Sequence, residues 1–154
     1  MRSIADLLHT DPFFTGLPED TLTLIAGCAH NVHFDTGTQI FAAGDAADTF
    51  WVIRRGRVAV EIDAARGSPL VLETIGADDL LGVSWILPPY LMTFDARAIE
   101  STSAVAIDAA CLRGKCDDDP ELGYELYKRF AGLVRDRLQA ARLQLLDLYG
   151  PDAR

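Results

Sequence analysis

Four groups of residues in this sequence are of types that do chemistry. Cys28, His30 and His33 set a thiolate and two imidazoles within six residues, donors that suit zinc or a haem-type iron. No fourth ligand is apparent nearby, and the segment falls where a helix gives way to a strand, so alternate side chains diverge. The expectation is a buried cysteine beside surface histidines, and no metal. Cys111 and Cys116 stand five apart in a loop-like, acid-flanked stretch, and three cysteines in all cannot make a four-thiolate cluster within one chain. An odd number without framework spacing reads as free thiols of a reducing compartment, hence a cytoplasmic protein. Arg54, Arg55 and Arg57 form a tight basic cluster, read as a solvated hairpin tip. The fourth feature is Gly82, where the backbone can approach a ligand closely and a short helical turn beginning near Val83 would offer unpaired N–H groups to an anion. The chain carries no nucleophile elbow, P-loop or dinucleotide fingerprint, so a non-catalytic protein is expected.

Composition narrows the classes further. The 154 residues include 23 acidic and 14 basic side chains, a net charge of −9, with 49% hydrophobic and 24% charged residues. That is one globular domain able to bury a core without metal staples or disulfides. A pI of 4.6 repels phosphate backbones, so no direct DNA binding is expected. No apolar run reaches the length of a membrane span, and MRSIADLLHT mixes charge into its short apolar stretch, so neither a membrane anchor nor an export signal is expected.

Three regions must position these residues. Over residues 1–31, apolar Ile4, Leu7 and Leu8, then Leu22, Leu24, Ile25 and Cys28 behind Pro18, Glu19 and Asp20, predict short helices. Over 32–110, β-branched or alternating runs at 38–42, 49–53, 58–62, 70–75, 94–99 and 104–107 predict strands. Gly37, Gly44, Gly56, Gly67 and Gly76 punctuate them at spacings of 7, 12, 11 and 9, which suits a compact antiparallel barrel or sandwich. Over 121–149, Leu122, Leu126, Phe130, Leu133 and Val134 predict one long helix stopped by Gly150-Pro151. From Val134 through Leu138, Ala141, Leu145 and Leu148 the steps are 4, 3, 4 and 3, a coiled-coil seam.

Helices, a glycine-punctuated β-roll and a long helix come in the order of the cyclic-nucleotide-binding domain, the effector domain of catabolite-activator-type regulators. Local motifs resemble that family. Phe13-Phe14-Thr15-Gly16-Leu17 resembles its opening motif, residues 40–53 its signature strand, turn and strand, and Arg55-Gly56-Arg57-Val58 its next hairpin. Ile75-Gly76-Ala77-Asp78-Asp79-Leu80-Leu81-Gly82 resembles the approach to the phosphate-binding cassette, and Phe94-Asp95-Ala96-Arg97-Ala98 the strand leaving it. The resemblance covers essentially the whole chain. It implies a mainly β fold with flanking helices: a double-stranded, jelly-roll-like β-roll with short N-terminal helices and a long C-terminal helix.

It also implies a cassette built from Gly82, Val83, Ser84, Trp85, Met92, Thr93 and Arg97, closed by polar groups of the long helix at Gln139 and Arg142. In the family an acidic residue after the cassette glycine takes a ribose hydroxyl, and an arginine about ten residues on pairs with the cyclic phosphate. Val83 and Met92 occupy those positions here, and the intervening loop from Trp85 to Leu91 is apolar and holds two prolines. Two charge-assisted hydrogen bonds contribute roughly 3 to 6 kcal/mol together, a hundred- to ten-thousand-fold in affinity. A non-catalytic regulatory or sensor module is therefore expected, without a cofactor and without tightly bound cyclic nucleotide; Arg97 is read as a structural ion-pair residue or, less simply, a substitute anion partner. The alternative is a ligand-free dimeric scaffold or protein-interaction domain whose pocket is plugged by Trp85, Leu91 and Met92. The resemblance and the seam together imply a homodimer through Val134, Leu138, Ala141, Leu145 and Leu148. With no helix-turn-helix before Arg154, DNA could be reached only through a partner.

Overall fold

A computed structural model describes residues 3–63 and 67–149. Helix α1 (Ile4–Thr10) starts in a capping box: the Ser3 hydroxyl accepts the Asp6 N–H, and the Asp6 carboxylate accepts the Ser3 N–H, both at 3.1 Å. Helix α2 (Glu19–Ala26) follows Pro18 with two acids in its first turn, where the helix dipole favours them. Among the described residues eight strands then run from Ala29 to Asp108, so the β-roll begins three residues before position 32 and ends two before 110.

The strands are β1 (Ala29–Phe34), β2 (Gln39–Phe41), β3 (Thr49–Arg55), β4 (Val58–Asp63), β5 (Pro69–Ile75), β6 (Leu80–Leu81), β7 (Asp95–Ala98) and β8 (Thr102–Asp108). They form two four-stranded antiparallel sheets, in the orders β1-β8-β3-β6 and β2-β7-β4-β5. Phe50, Ile53, Val58, Leu80, Ala96, Ala104 and Ile107 are buried in the core they share with the helices. Four consecutive buried residues, Phe50 to Ile53, show that β3 is covered on both faces. At the β3–β4 hairpin Gly56 has φ 101°, and a Cβ there would sit 2.4 Å from the Ser101 carbonyl oxygen, so no other residue fits.

Helix α3 (Ala109–Asp118) replaces the loop expected around Cys111 and Cys116. Asp108 caps it by accepting the Cys111 N–H at 2.9 Å. Its glycine and acidic tail weaken the sequence signal for helix. The first turn brings Cys111 to the residue that precedes β1, and Cys28 and Cys111 are joined as a disulfide across 83 residues of sequence. The reading of three free thiols is thereby corrected: only Cys116 is free, and it is buried. Sequence spacing alone could not show that the end of the β-roll returns to its beginning.

Helix α4 (Pro120–Tyr149) is the long C-terminal helix, one residue longer at its start than expected, with Pro120 where a missing N–H costs nothing. The stop at Gly150-Pro151 lies outside the described residues. Glu125 and Arg129 form the ion pair their spacing suggests, at 3.1 Å. Arg129 also donates to the carbonyls of Phe13 and Thr15, tying α4 to the N-terminal segment. Among the described residues no helix is long and apolar enough to cross a membrane.

Candidate functional site

A cavity of about 640 Å³ lies between the β2-β7-β4-β5 sheet and the distal half of α4. The β-roll contributes Phe41, Val60, Leu70, Val71, Leu72, Glu73 and Leu81; the turn after β6 contributes Gly82, Val83 and Ser84; the approach to β7 contributes Met92, Thr93 and Phe94. Helix α4 closes it with Val134, Arg137, Leu138, Ala141, Gln144, Leu145 and Leu148. Most of these side chains are aliphatic or aromatic, and the volume is that of a small-molecule site.

Gly82 has φ 97°, whereas a Cβ built there finds its nearest atom at 3.5 Å. Glycine is required by the turn, not by crowding. After Gly82 the chain turns at Ser84 and Trp85, where a short helical turn is expected near Val83. The Ser84 and Thr93 hydroxyls hydrogen-bond each other at 3.2 Å, which spends much of the polar capacity of the cassette on itself. Met92 is buried, and its backbone is fixed by Met92 N–H to Asp45 carbonyl and Gly44 N–H to Met92 carbonyl bonds, each 2.8 Å. Met92 is one of the apolar residues that line the cavity.

Four of the site residues read from the sequence lie elsewhere. Trp85 is 0% exposed and belongs to the core: it stacks on Phe50 with centroids 5.0 Å apart and meets Phe130 edge-on at 5.0 Å and Tyr127 at 6.1 Å. Its indole N–H has no hydrogen-bond partner among the described residues. Arg113 of α3 donates to the Trp85 and Ala47 carbonyls at 2.9 and 3.1 Å and stacks over the Tyr90 ring at 4.3 Å, holding the apolar loop down. Arg97 does not line the cavity. Its guanidinium makes a two-pronged pair with buried Glu61, at 3.0 and 3.2 Å, which raises the arginine pKa and leaves the fork engaged as a structural ion pair.

Gln139 and Arg142 are also outside the cavity lining; Arg137 and Gln144 take the polar positions on α4. These lie two residues before Gln139 and two after Arg142, so no single offset relates the two pairs. Arg137 was visible in principle, since it lies three residues after Val134 on the same helical face. The expected dimer seam, Val134 to Leu148, faces this domain's own cavity and is only partly covered there. The plugged pocket is corrected, because Trp85 is in the core, Leu91 is exposed, and of the three supposed plugs only Met92 reaches a cavity that stays open.

The remaining candidates have ordinary settings. Cys28 is in the disulfide; the His33 ring lies 3.3 to 3.4 Å from Ser101, Ser103 and Asp35; and no group of three or more His, Cys, Asp or Glu among the described residues is placed to hold a metal. Arg57 pairs with Glu100 at 3.5 Å on the exposed hairpin. Burial raises the Cys116 thiol pKa, helped by Asp117 and Asp119, which keeps it unreactive.

Comparison with known proteins places this geometry. The profile of the cyclic nucleotide-binding domain matches residues 31–119. A CRP-like cAMP-activated global transcriptional regulator of Mycobacterium tuberculosis is 27% identical over 147 residues, 96% of this chain and 64% of the regulator's length. Among solved structures, one named a cyclic nucleotide-binding protein from Geobacter metallireducens superposes with a TM-score of 0.79 at 29% identity, covering 90% of this chain and 99% of that one. The catabolite activator protein of Thermus thermophilus shares the fold, with a TM-score of 0.69 at 23% identity over 89% of this chain and 62% of its own.

Proposed function

Because this chain belongs to the cyclic nucleotide-binding domain family, we propose that it is a non-catalytic regulatory module whose cavity takes a small ligand other than a tightly held cyclic nucleotide. What supports this is the wall: an open space lined by Val83 and Met92, the residues that the family resemblance sets at the two cassette positions, with the Ser84 and Thr93 hydroxyls bonded to each other. A sugar phosphate needs charge and donors at those points, and apolar side chains supply neither. Burial of a less polar ligand against α4 would bias the helix toward the roll, a population shift that needs no chemistry. Thermal melting with millimolar cyclic AMP and cyclic GMP tests the reading. No change in Tm is expected, whereas a micromolar site at that concentration would add about 4 kcal/mol; a rise of that size refutes it.

Self-association through α4 is a second part of the reading. The seam is only partly covered over the cavity, and α4 also exposes Leu143, Leu146 and Tyr149 at 62%, 60% and 78%. A Leu143→Glu/Leu146→Glu variant should run as a monomer by light scattering while the parent runs as a dimer. A monomeric parent refutes the pairing. Signal would then pass through surface or oligomer contacts to a protein partner, with no direct DNA contact from this acidic domain.

A further inference from the structure

Arg137 is a part of the cavity to which the regulatory reading assigns no task. Its guanidinium is half-buried in the wall and donates to the Leu80 carbonyl. Among the described residues it forms no ion pair, and Glu73, the other charged residue of the wall, is not within salt-bridge distance of it. A guanidinium carries five N–H donors in a rigid fork. Bonding to one carbonyl leaves most of them, and the whole charge, unanswered beside an apolar space.

That space has a direction. Beyond Arg137, α4 turns Leu138, Ala141, Leu145 and Leu148 toward the cavity, and the eleven helical steps from Arg137 to Leu148 span about 16 Å. Leu70 and Phe94 are on the β-roll side of the same space. A cation near one end of an elongated apolar track complements an amphiphile with a charged head and an extended tail. One negative charge is what the site can accommodate: Glu73 shares the wall, and the chain as a whole carries −9.

Resting on the reading of the cavity as a ligand site, we propose that its ligand is an organic monoanion, a carboxylate on a medium-length aliphatic chain, with the head on Arg137 and the chain along the Leu138–Leu148 stripe. The head gains a charge-assisted hydrogen bond in a setting drier than bulk water, and the chain covers apolar surface that now faces solvent. A cyclic nucleotide would instead set its sugar hydroxyls against Val83 and Met92.

Isothermal titration of the full chain with dodecanoate, dodecanol and dodecyl phosphate below their aggregation limits, with cyclic AMP in parallel, tests this. Dodecanoate should saturate at one per chain, with dodecanol and the dianionic phosphate roughly ten- to hundred-fold weaker. Arg137→Gln should bring the acid down to the affinity of the alcohol and leave the alcohol unchanged; Arg137→Lys should restore part of the gap; Ala141→Trp should block both. Equal affinity of acid and alcohol for the wild type, tighter binding of the phosphate, binding that survives Ala141→Trp, or no saturable binding of dodecanoate overturns the monoanion assignment and leaves the regulatory reading in place. Tight binding of cyclic AMP with dodecanoate silent overturns the regulatory reading itself.

Discussion

The two halves of α4 obey different physics. Its first half buries Leu122, Leu126 and Phe130, and Phe130 sits at 0% exposure among Phe13, Phe50 and Trp85, with ring centroids 4.7 to 5.2 Å apart. Its second half carries as many apolar residues, yet Leu138, Leu145 and Leu148 are 49%, 55% and 63% exposed over the cavity. One continuous helix therefore has a root welded into the core and a lid that rests on an open space. The root is what a folding domain needs. The lid is apolar surface kept out of the core, and its covering is left to a ligand or a second chain.

Phe130→Ala breaks the root and should produce the largest effect, a loss of about 3 to 5 kcal/mol in chemical denaturation, because the ring leaves a cavity among three aromatic neighbours. A loss below 1 kcal/mol would mean that the root is no better packed than the lid. Asp11 sharpens the same side of the comparison. Its carboxylate accepts the Phe13 N–H at 2.9 Å and so fixes the turn that delivers Phe13 and Phe14 to the root. Burial, with help from Asp78 and Asp79, outweighs those backbone bonds and raises its pKa above the ordinary 3.8. A carboxyl with a raised folded pKa is ionised at a cost near neutrality, and that cost vanishes as pH falls through the folded value. Asp11→Asn, which keeps an acceptor and removes the charge, should raise Tm modestly at pH 7, the gain shrinking to nothing by about pH 3.8. A gain that does not depend on pH would assign the effect to packing. The smallest effect on stability belongs to the lid: Leu145→Glu should change unfolding free energy by no more than about 0.5 kcal/mol while placing a like charge in the path of the proposed carboxylate and abolishing dodecanoate binding. A stability loss of several kcal/mol would show that the lid is part of the fold after all.

Much of the β-roll was legible because it rests on local rules. A two-residue period with glycine-bearing turns marks β3, β4 and β5 to within two residues at either end. Gly56 and Gly82 both adopt the positive φ that their place between strand signals suggests. Short β6 was missed, since two residues cannot display a period. Helix α3 was missed because its glycine and acidic residues read as loop, whereas its cap at Asp108 and its packing against α4 hold it helical. In the site, Gly82, Val83, Ser84, Met92 and Thr93, the cassette residues that the resemblance implies, line the cavity. Trp85 was misread because the next residue along a turn can point the opposite way, and here it points into the rings of Phe50, Tyr127 and Phe130. Gln139 and Arg142 were misread because a helix rotates 100° per residue, so placing a polar group one or two residues off moves it away from the face that lines the cavity.

The sequence by itself determined what depends on neighbours along the chain: the succession of helices, strands and long helix, the turns, the apolar character of the cassette and the excess of negative charge. Only the tertiary structure decided what depends on residues far apart meeting: that Cys28 bonds to Cys111, that Glu61 takes Arg97 out of the site, that Trp85 leaves the pocket open, and that the 134–148 stripe turns toward its own β-roll. An apolar stripe records only that it must be covered. Whether the cover is a sheet, a ligand or another helix depends on the direction in which the rest of the chain aims it.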